Sequence, residues 1–235
     1  MTADGPAPAA AGPTPPPVDA VVVDVHTRHG RAVAHVHPTE RQAGVLVLGH
    51  GAGGGVFAPD LVAVAAGARS HGWTVVLVEQ PYRAAGKRVG PRPAALDEAW
   101  CDVVAALRAP VLPGVADPPL PDGLPLVCGG RSAGARVACR TAPATGAAGV
   151  VALAFPTRPP GRPDRPDRLP ELEGAGVPVL VVQGSTDPYG VPPEAPGREV
   201  VVVPGDHSLK KDVAAVAEAV TRWLVDIAAE RRPMH

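Results

Sequence analysis

The chain contains four serines, and one of them, Ser132, sits in Gly130-Arg131-Ser132-Ala133-Gly134, a G-x-S-x-G pattern. An apolar run precedes it and a helix-forming stretch follows. That context gives the pattern meaning, because a tight strand-to-helix turn lifts the hydroxyl above a sheet. A serine hydroxyl is a weak nucleophile. It needs a base, and the base needs a carboxylate to orient it. When a sheet carries such a relay behind this turn, the partners follow in the order serine, acid, histidine, each just past a strand. VVQGSTDPYG puts Asp187 three residues after Gly184, and VVVPGDHSLK puts His207 three residues after Pro204. Taken singly, Asp-Pro is ordinary turn chemistry and Gly-Asp-His a common helix entrance. Order and placement together point to acyl transfer, with Ser132 as nucleophile, His207 as base and Asp187 as orienting acid.

A second chemical feature is LVLGHGAGGGVFAPD, residues 46–60. Gly49, Gly51 and Gly54 satisfy G-x-G-x-x-G, the loop that cradles a dinucleotide's pyrophosphate. Glu79 would then be the ribose-binding acid, but it lies 25 residues past Gly54, against the ~20 of that fingerprint. His50 would crowd the first turn, and Ser132, Asp187 and His207 would go unexplained. In the acyl-transfer reading, glycines let backbone N–H groups approach the carbonyl under attack. Ala52 is then the expected oxyanion donor, with Gly51 and Gly53 beside it and Ala133 supplying the second N–H. One such donor contributes about 3–4 kcal/mol to transition-state stabilisation.

These residues need a scaffold, and the hydropathy pattern supplies one. Residues 19–27 and 31–38 alternate apolar and polar side chains around His29-Gly30, which predicts an antiparallel hairpin. Thereafter 45–49, 74–79, 125–130, 150–155, 178–184 and 199–204 are short, nearly all-apolar runs, the mark of strands covered on both faces. Helices are expected between them at about 58–71, 94–108, 133–143 and 208–230. The fold class is therefore α/β: a mostly parallel central sheet with an antiparallel N-terminal hairpin and helices on both faces. The segment 156–174 is too proline-rich to form an element and reads as a long loop at the ligand-binding edge of the sheet.

The chain of 235 residues suits one domain over 18–235, behind a Pro/Ala-rich stretch, 1–17, expected to be a disordered tail without signal-peptide character. A net charge of −1 argues against nucleic acid, and no apolar run approaches the length of a membrane helix. Three cysteines without a C-x-x-C pair argue for a reducing compartment, the cytoplasm. No metal or organic cofactor is expected, and the pattern does not reveal an oligomeric state.

LGHGAGGG, VEQPYRAAGKR, GGRSAGARVA, AFPTRPPGRP, VQGSTDPYG and GDHSLK together resemble the α/β-hydrolase superfamily. Within it they resemble the small KANL/Tex-like group with its dienelactone-hydrolase-like relatives. The resemblance covers the chain from about residue 18. It implies an α/β-hydrolase fold without a large cap domain, with Ser132, His207 and Asp187 as the triad. Dienelactone hydrolases use a cysteine nucleophile, so a serine at this position implies ordinary serine esterase chemistry on a small-molecule ester. The alternatives are a non-catalytic interaction module on the same fold, or thioester hydrolysis or acyl transfer by the same triad.

Tyr82 and Arg83 leave a strand on the active-site edge and are candidate pocket residues favouring an anionic substrate part; a solvated loop is the plainer reading. Arg131, Phe155 and Pro156 are further pocket candidates. His35 and His37 share one strand face at metal-ligand spacing, but with no third ligand nearby they are expected on an exposed hairpin face. Cys128 and Cys139 are expected to be small buried residues, and Trp100 and Trp223 core.

Overall fold

Valine-rich runs become the strands. The structure is a computed structural model that describes residues 20–40, 42–109, 118–158, 161 and 164–230. The expected tail over 1–17 lies outside the described residues. In chain order the strands are β1 (Val21–Thr27), β2 (Gly30–His37), β3 (Gly44–Gly49), β4 (Trp73–Glu79), β5 (Leu126–Arg131), β6 (Gly149–Leu153), β7 (Val179–Gly184) and β8 (Arg198–Val203). The helices are α1 (Pro59–Ser70), α2 (Pro81–Ala84), α3 (Pro93–Leu107), α4 (Ala133–Thr145), α5 (Leu169–Glu173) and α6 (Val213–Glu230).

All eight strands form one sheet in the order β1-β2-β4-β3-β5-β6-β7-β8. β1 and β2 pair antiparallel, β2 meets β4 antiparallel, and every pairing from β4 to β8 is parallel. The central strands are buried on both faces, which is why their sequences do not alternate. One face packs on α3 and α4 through Trp100, Val103, Leu107, Val137 and Ala138. The other packs on α1 and α6 through Leu61, Val64, Val216, Val220, Trp223 and Leu224. No cap domain is built among the described residues. None of their helices is long and apolar enough to cross a membrane.

Local chemistry sets the helix boundaries. Pro59 and Pro93 occupy first-turn positions, where a missing N–H costs nothing. α4 ends on Gly146 in the left-handed conformation (φ 64°). α6 starts at Val213 rather than at the expected 208, because Asp212 Oδ1 accepts the Ala215 N–H at 3.0 Å and caps the helix there. The residues thereby released, 208–212, extend the turn after β8 that carries His207. Two short helices were not expected: α2, opened by Pro81, and α5, at the end of the proline-rich segment.

One expectation is corrected. His35 and His37 are buried, with 7% and 1% of their surfaces exposed. β2 lies between β1 and β4, and the Phe57 ring covers His35 on the face expected to be free. The His35 ring packs edge-on against Phe57 and lies 3.6 Å from Glu79 Oε1. Among the described residues, no cluster of three or more His, Cys, Asp or Glu could hold a metal ion.

Candidate active site

The three residues singled out by order along the chain meet at the C-terminal edge of the sheet. Ser132 follows β5 with φ 54° and ψ −104°, a conformation sparsely populated outside glycine and held here by the crossing elements. The Ser132 N–H donates to Leu153 O at 2.9 Å, and its carbonyl accepts the Arg136 N–H at 3.2 Å. A Cβ on Gly130 or Gly134 would stand 2.4 or 2.5 Å from Gly49 O. Only glycines let α4 cross so close to the end of β3, and that crossing sets the sharp turn.

His207 Nε2 lies 2.9 Å from Ser132 Oγ, and His207 Nδ1 lies 2.8 Å from Asp187 Oδ2. A neutral imidazole in this position donates Nδ1–H to the carboxylate and accepts the serine proton at Nε2. The Asp187 side chain is fully buried, and His207 is 21% exposed. Asp187 also accepts the Tyr189 N–H on Oδ1 (2.8 Å) and Gln183 Nε2 on Oδ2 (2.8 Å). Gln183 Nε2 further reaches Phe155 O and Gly190 O, at 3.1 and 2.9 Å. The Tyr189 ring covers His207, with centroids 4.2 Å apart. Sequence reasoning passed over both residues. Their signals were faint: Gln183 is the lone polar residue in an apolar strand, and Tyr189 is one of only two tyrosines.

The glycine loop lies beside the nucleophile. Gly54 N–H closes a turn onto Gly51 O at 3.1 Å. Gly51 is buried, whereas Ala52 and Gly53 are exposed. As the first residue of α4, Ala133 has an N–H that intrahelical bonding leaves unpaired. Buried His50 holds the loop: its Nδ1–H donates to Gly51 O (2.9 Å) while Nε2 accepts the Gln80 N–H (3.2 Å). Burial pushes the His50 pKa down, which keeps this tautomer neutral. Tyr82 Oη donates to Ala52 O at 3.3 Å. The dinucleotide reading of the loop fails on geometry. α1 begins five residues after Gly54, so no helix N-terminus opens at the third glycine.

The pocket candidates separate. Arg131 turns beneath the glycine loop, where its guanidinium lies 3.7 Å from buried Asp60 of α1. Burial drives the Asp60 carboxyl up, and the Arg131 charge pulls it back. A Cβ on Gly51 would meet Arg131 Nε at 3.4 Å, an ordinary contact that does not by itself require glycine. Phe155 is corrected: with no exposed surface it belongs to the core beneath α4 rather than to a pocket wall. Pro156 is buried as well, and its carbonyl accepts Arg168 Nη1 at 3.2 Å. Tyr82 lines a cavity, described below, that Arg83 and Arg131 do not share. Arg83 Nη1 instead reaches Lys87 O at 3.4 Å. Cys128 and Cys139 are buried, and burial raises both thiols to about 12.

Sequence comparison decides the family. The model of the α/β-hydrolase domain family matches residues 42–225. The chain belongs to that family. No protein of curated function matches the sequence significantly. Several solved structures share the fold. A lidless α/β serine hydrolase from Xanthomonas campestris is 20% identical with a TM-score of 0.65, covering 88% of this chain and 96% of its own. Dienelactone hydrolase from Anabaena variabilis is 18% identical (TM-score 0.63; 88% and 97%). Est1E from Butyrivibrio proteoclasticus, in a structure with ferulic acid bound, is 16% identical (TM-score 0.68; 88% and 99%). At these identities the likeness is one of fold. This α/β-hydrolase thus carries a serine at a strained elbow, a histidine bonded to it and a buried carboxylate behind that histidine.

Proposed function

We propose that this α/β-hydrolase cleaves small carboxylic esters through an acyl-enzyme formed on Ser132. His207 Nε2 takes the Ser132 proton as Oγ attacks the ester carbonyl. The negative charge on the carbonyl oxygen is met by the N–H of Ala133 and by N–H groups of the glycine loop, Ala52 first, with Gly51 and Gly53 beside it. Collapse of the tetrahedral species expels the alcohol, which takes the proton from His207. Water then attacks the acyl-enzyme, gives its proton to His207, and releases the acid as Ser132 regains the proton. Asp187 holds the imidazole in the required tautomer and stabilises the imidazolium. The reaction so written needs no metal or organic cofactor.

The observation that carries this reading is His207, which bridges Ser132 Oγ at 2.9 Å and Asp187 Oδ2 at 2.8 Å. Support for a small substrate comes from the absence of a cap among the described residues. Est1E, captured with ferulic acid, is a fold neighbour that accommodates a small carboxylic acid. A fluorophosphonate probe tests the reading. Wild-type protein is expected to label covalently, and Ser132→Ala to lose the label with an unchanged circular dichroism spectrum. A folded wild-type chain that does not label refutes it.

A further inference from the structure

Tyr82 and Gln80 wall a cavity of about 530 Å³ that the nucleophile does not share. It is enclosed by the β1–β2 turn, α2, the connector after α2 and the start of α3. Neither Ser132, His207 nor any glycine-loop residue lines it. Its volume falls in the range of small-molecule sites. Pro81, the Tyr82 ring and Leu96 make an apolar wall. The basic residues lining it are His29, Arg31 and Lys87, and no carboxylate lines it. His29 is held by Glu98 and Arg31 by Asp24, each at 2.6 Å. The Lys87 side chain has no ion pair among the described residues, so its ammonium is the charge left to meet a ligand.

The same wall holds the glycine loop. The Gln80 N–H bonds to His50 Nε2 at 3.2 Å, and His50 Nδ1–H bonds to Gly51 O at 2.9 Å. Tyr82 Oη bonds to Ala52 O at 3.3 Å, the long end for such a bond. Two successive carbonyls of the loop are thus tied to the cavity wall, Ala52 O directly by Tyr82 and Gly51 O through His50 and the Gln80 N–H. We propose that this cavity is an effector site for a small organic carboxylate with an apolar body, distinct from the reaction site. The apolar body packs on Leu96, Pro81 and the Tyr82 ring, and the carboxylate pairs with Lys87. Filling the cavity supports Tyr82 from its open side, tightens its bond to Ala52 O and so orders the loop beside Ser132. Coupling is reciprocal: what orders the loop also tightens the effector.

Hexanoate serves as probe on the full chain, with acetate for charge alone and hexanol for the apolar tail alone. Calorimetric titration is expected to show saturable binding of hexanoate, and none of acetate or hexanol at the same concentration. Saturating hexanoate is expected to raise kcat/KM for p-nitrophenyl acetate about two- to tenfold, the span of one neutral hydrogen bond. Lys87→Glu should abolish binding and leave basal hydrolysis intact. Tyr82→Phe should bind hexanoate without responding to it. Absence of saturable binding overturns the site. Competitive inhibition by hexanoate overturns its separateness from the reaction centre, and binding with an unchanged rate overturns the coupling. The rate measurement rests on the esterase reading of Ser132. If wild-type protein neither hydrolyses the ester nor takes the fluorophosphonate label, that reading fails. The hexanoate titration against Lys87→Glu still decides the site.

Discussion

A single methyl group on a residue outside the Ser132–His207–Asp187 relay is expected to disable the site. Gly184 closes β7, and a Cβ built on it would stand 2.4 Å from Asp206 O and 2.5 Å from Gly205 O. Ordinary contacts begin near 3.4 Å, so Gly184→Ala must open the gap by about 1 Å (3.4 − 2.4). β7 cannot yield: it is paired on both sides and buried throughout. The turn carrying Gly205 and Asp206 must move instead, and His207 is the next residue. A shift of that size takes His207 Nδ1 out of hydrogen-bond reach of Asp187 Oδ2, now 2.8 Å away, and disturbs its contact with Ser132 Oγ. Misplacement by about 1 Å costs about 10²-fold in rate. Overpacking costs about 1–3 kcal/mol of stability, or some 2–12 °C in Tm for a chain of this size. The assay is fluorophosphonate labelling rate together with kcat/KM for a small ester, with circular dichroism to establish folding. The fall should appear in kcat rather than KM. Gly55→Ala is the control, because its Cβ would meet nothing within 4 Å. A folded Gly184→Ala protein within threefold of wild-type kcat/KM would show that this contact does not set the position of His207.

Other consequences follow from the same structure. Burial lowers the His50 pKa below its ordinary value of about 6.5, so on acidification the unfolded chain takes up that proton first. Stability from neutral His50 is complete above about pH 6.5 and declines as pH falls toward the folded-state value. Tm measured against pH should show this acid slope, and His50→Gln should flatten it. Glu171 accepts hydrogen bonds from Arg136 and Arg140, and Arg140 also bonds Asp97, tying α5 and α3 to α4. Although burial opposes it, those two arginines hold the Glu171 carboxyl below its usual range. Glu171→Gln should therefore cost about 1–3 kcal/mol by denaturant titration, with kcat for a small ester nearly unchanged. Cys128 and Cys139, with thiols near 12, should resist iodoacetamide in the native protein at neutral pH. At most Cys101 should alkylate, and all three should do so in denaturant; native modification of two or more would refute the burial.

The sheet was legible because its central strands are buried on both faces. Runs such as VLVL and VVLV have no reading as half-exposed strands, and each expected strand that follows the hairpin agrees with the observed one to within two residues. Ser132, Asp187 and His207 were legible as a pattern because each follows a strand, and the parallel strands end on one edge, so chain order stands in for proximity. What lay outside reach was whatever depends on two distant elements at once. Gln183 orients Asp187 from within a strand whose other residues face the core, and nothing local in VVQG marks that role. Tyr189 covers His207 only because the β7 and β8 turns converge.

The buried histidines show the same limit from the other side. An alternating run such as RAVAHVH predicts one wet face only if that face of the sheet is bare. β2 has β1 on one side and β4 on the other, and Phe57 closes over His35. His35 therefore sits 3.6 Å from Glu79, and the neighbouring imidazole holds the Glu79 carboxyl below its usual range. Glu79 precedes Gln80, whose N–H fixes His50, and His50 fixes Gly51. The polar residues of β2 that look like surface decoration thus stand at the start of a chain of contacts that ends in the glycine loop. A strand pattern reports polarity. Whether that polarity meets water or another side chain is decided by what packs over the face, here Phe57 from a loop, and that is a property of the whole fold.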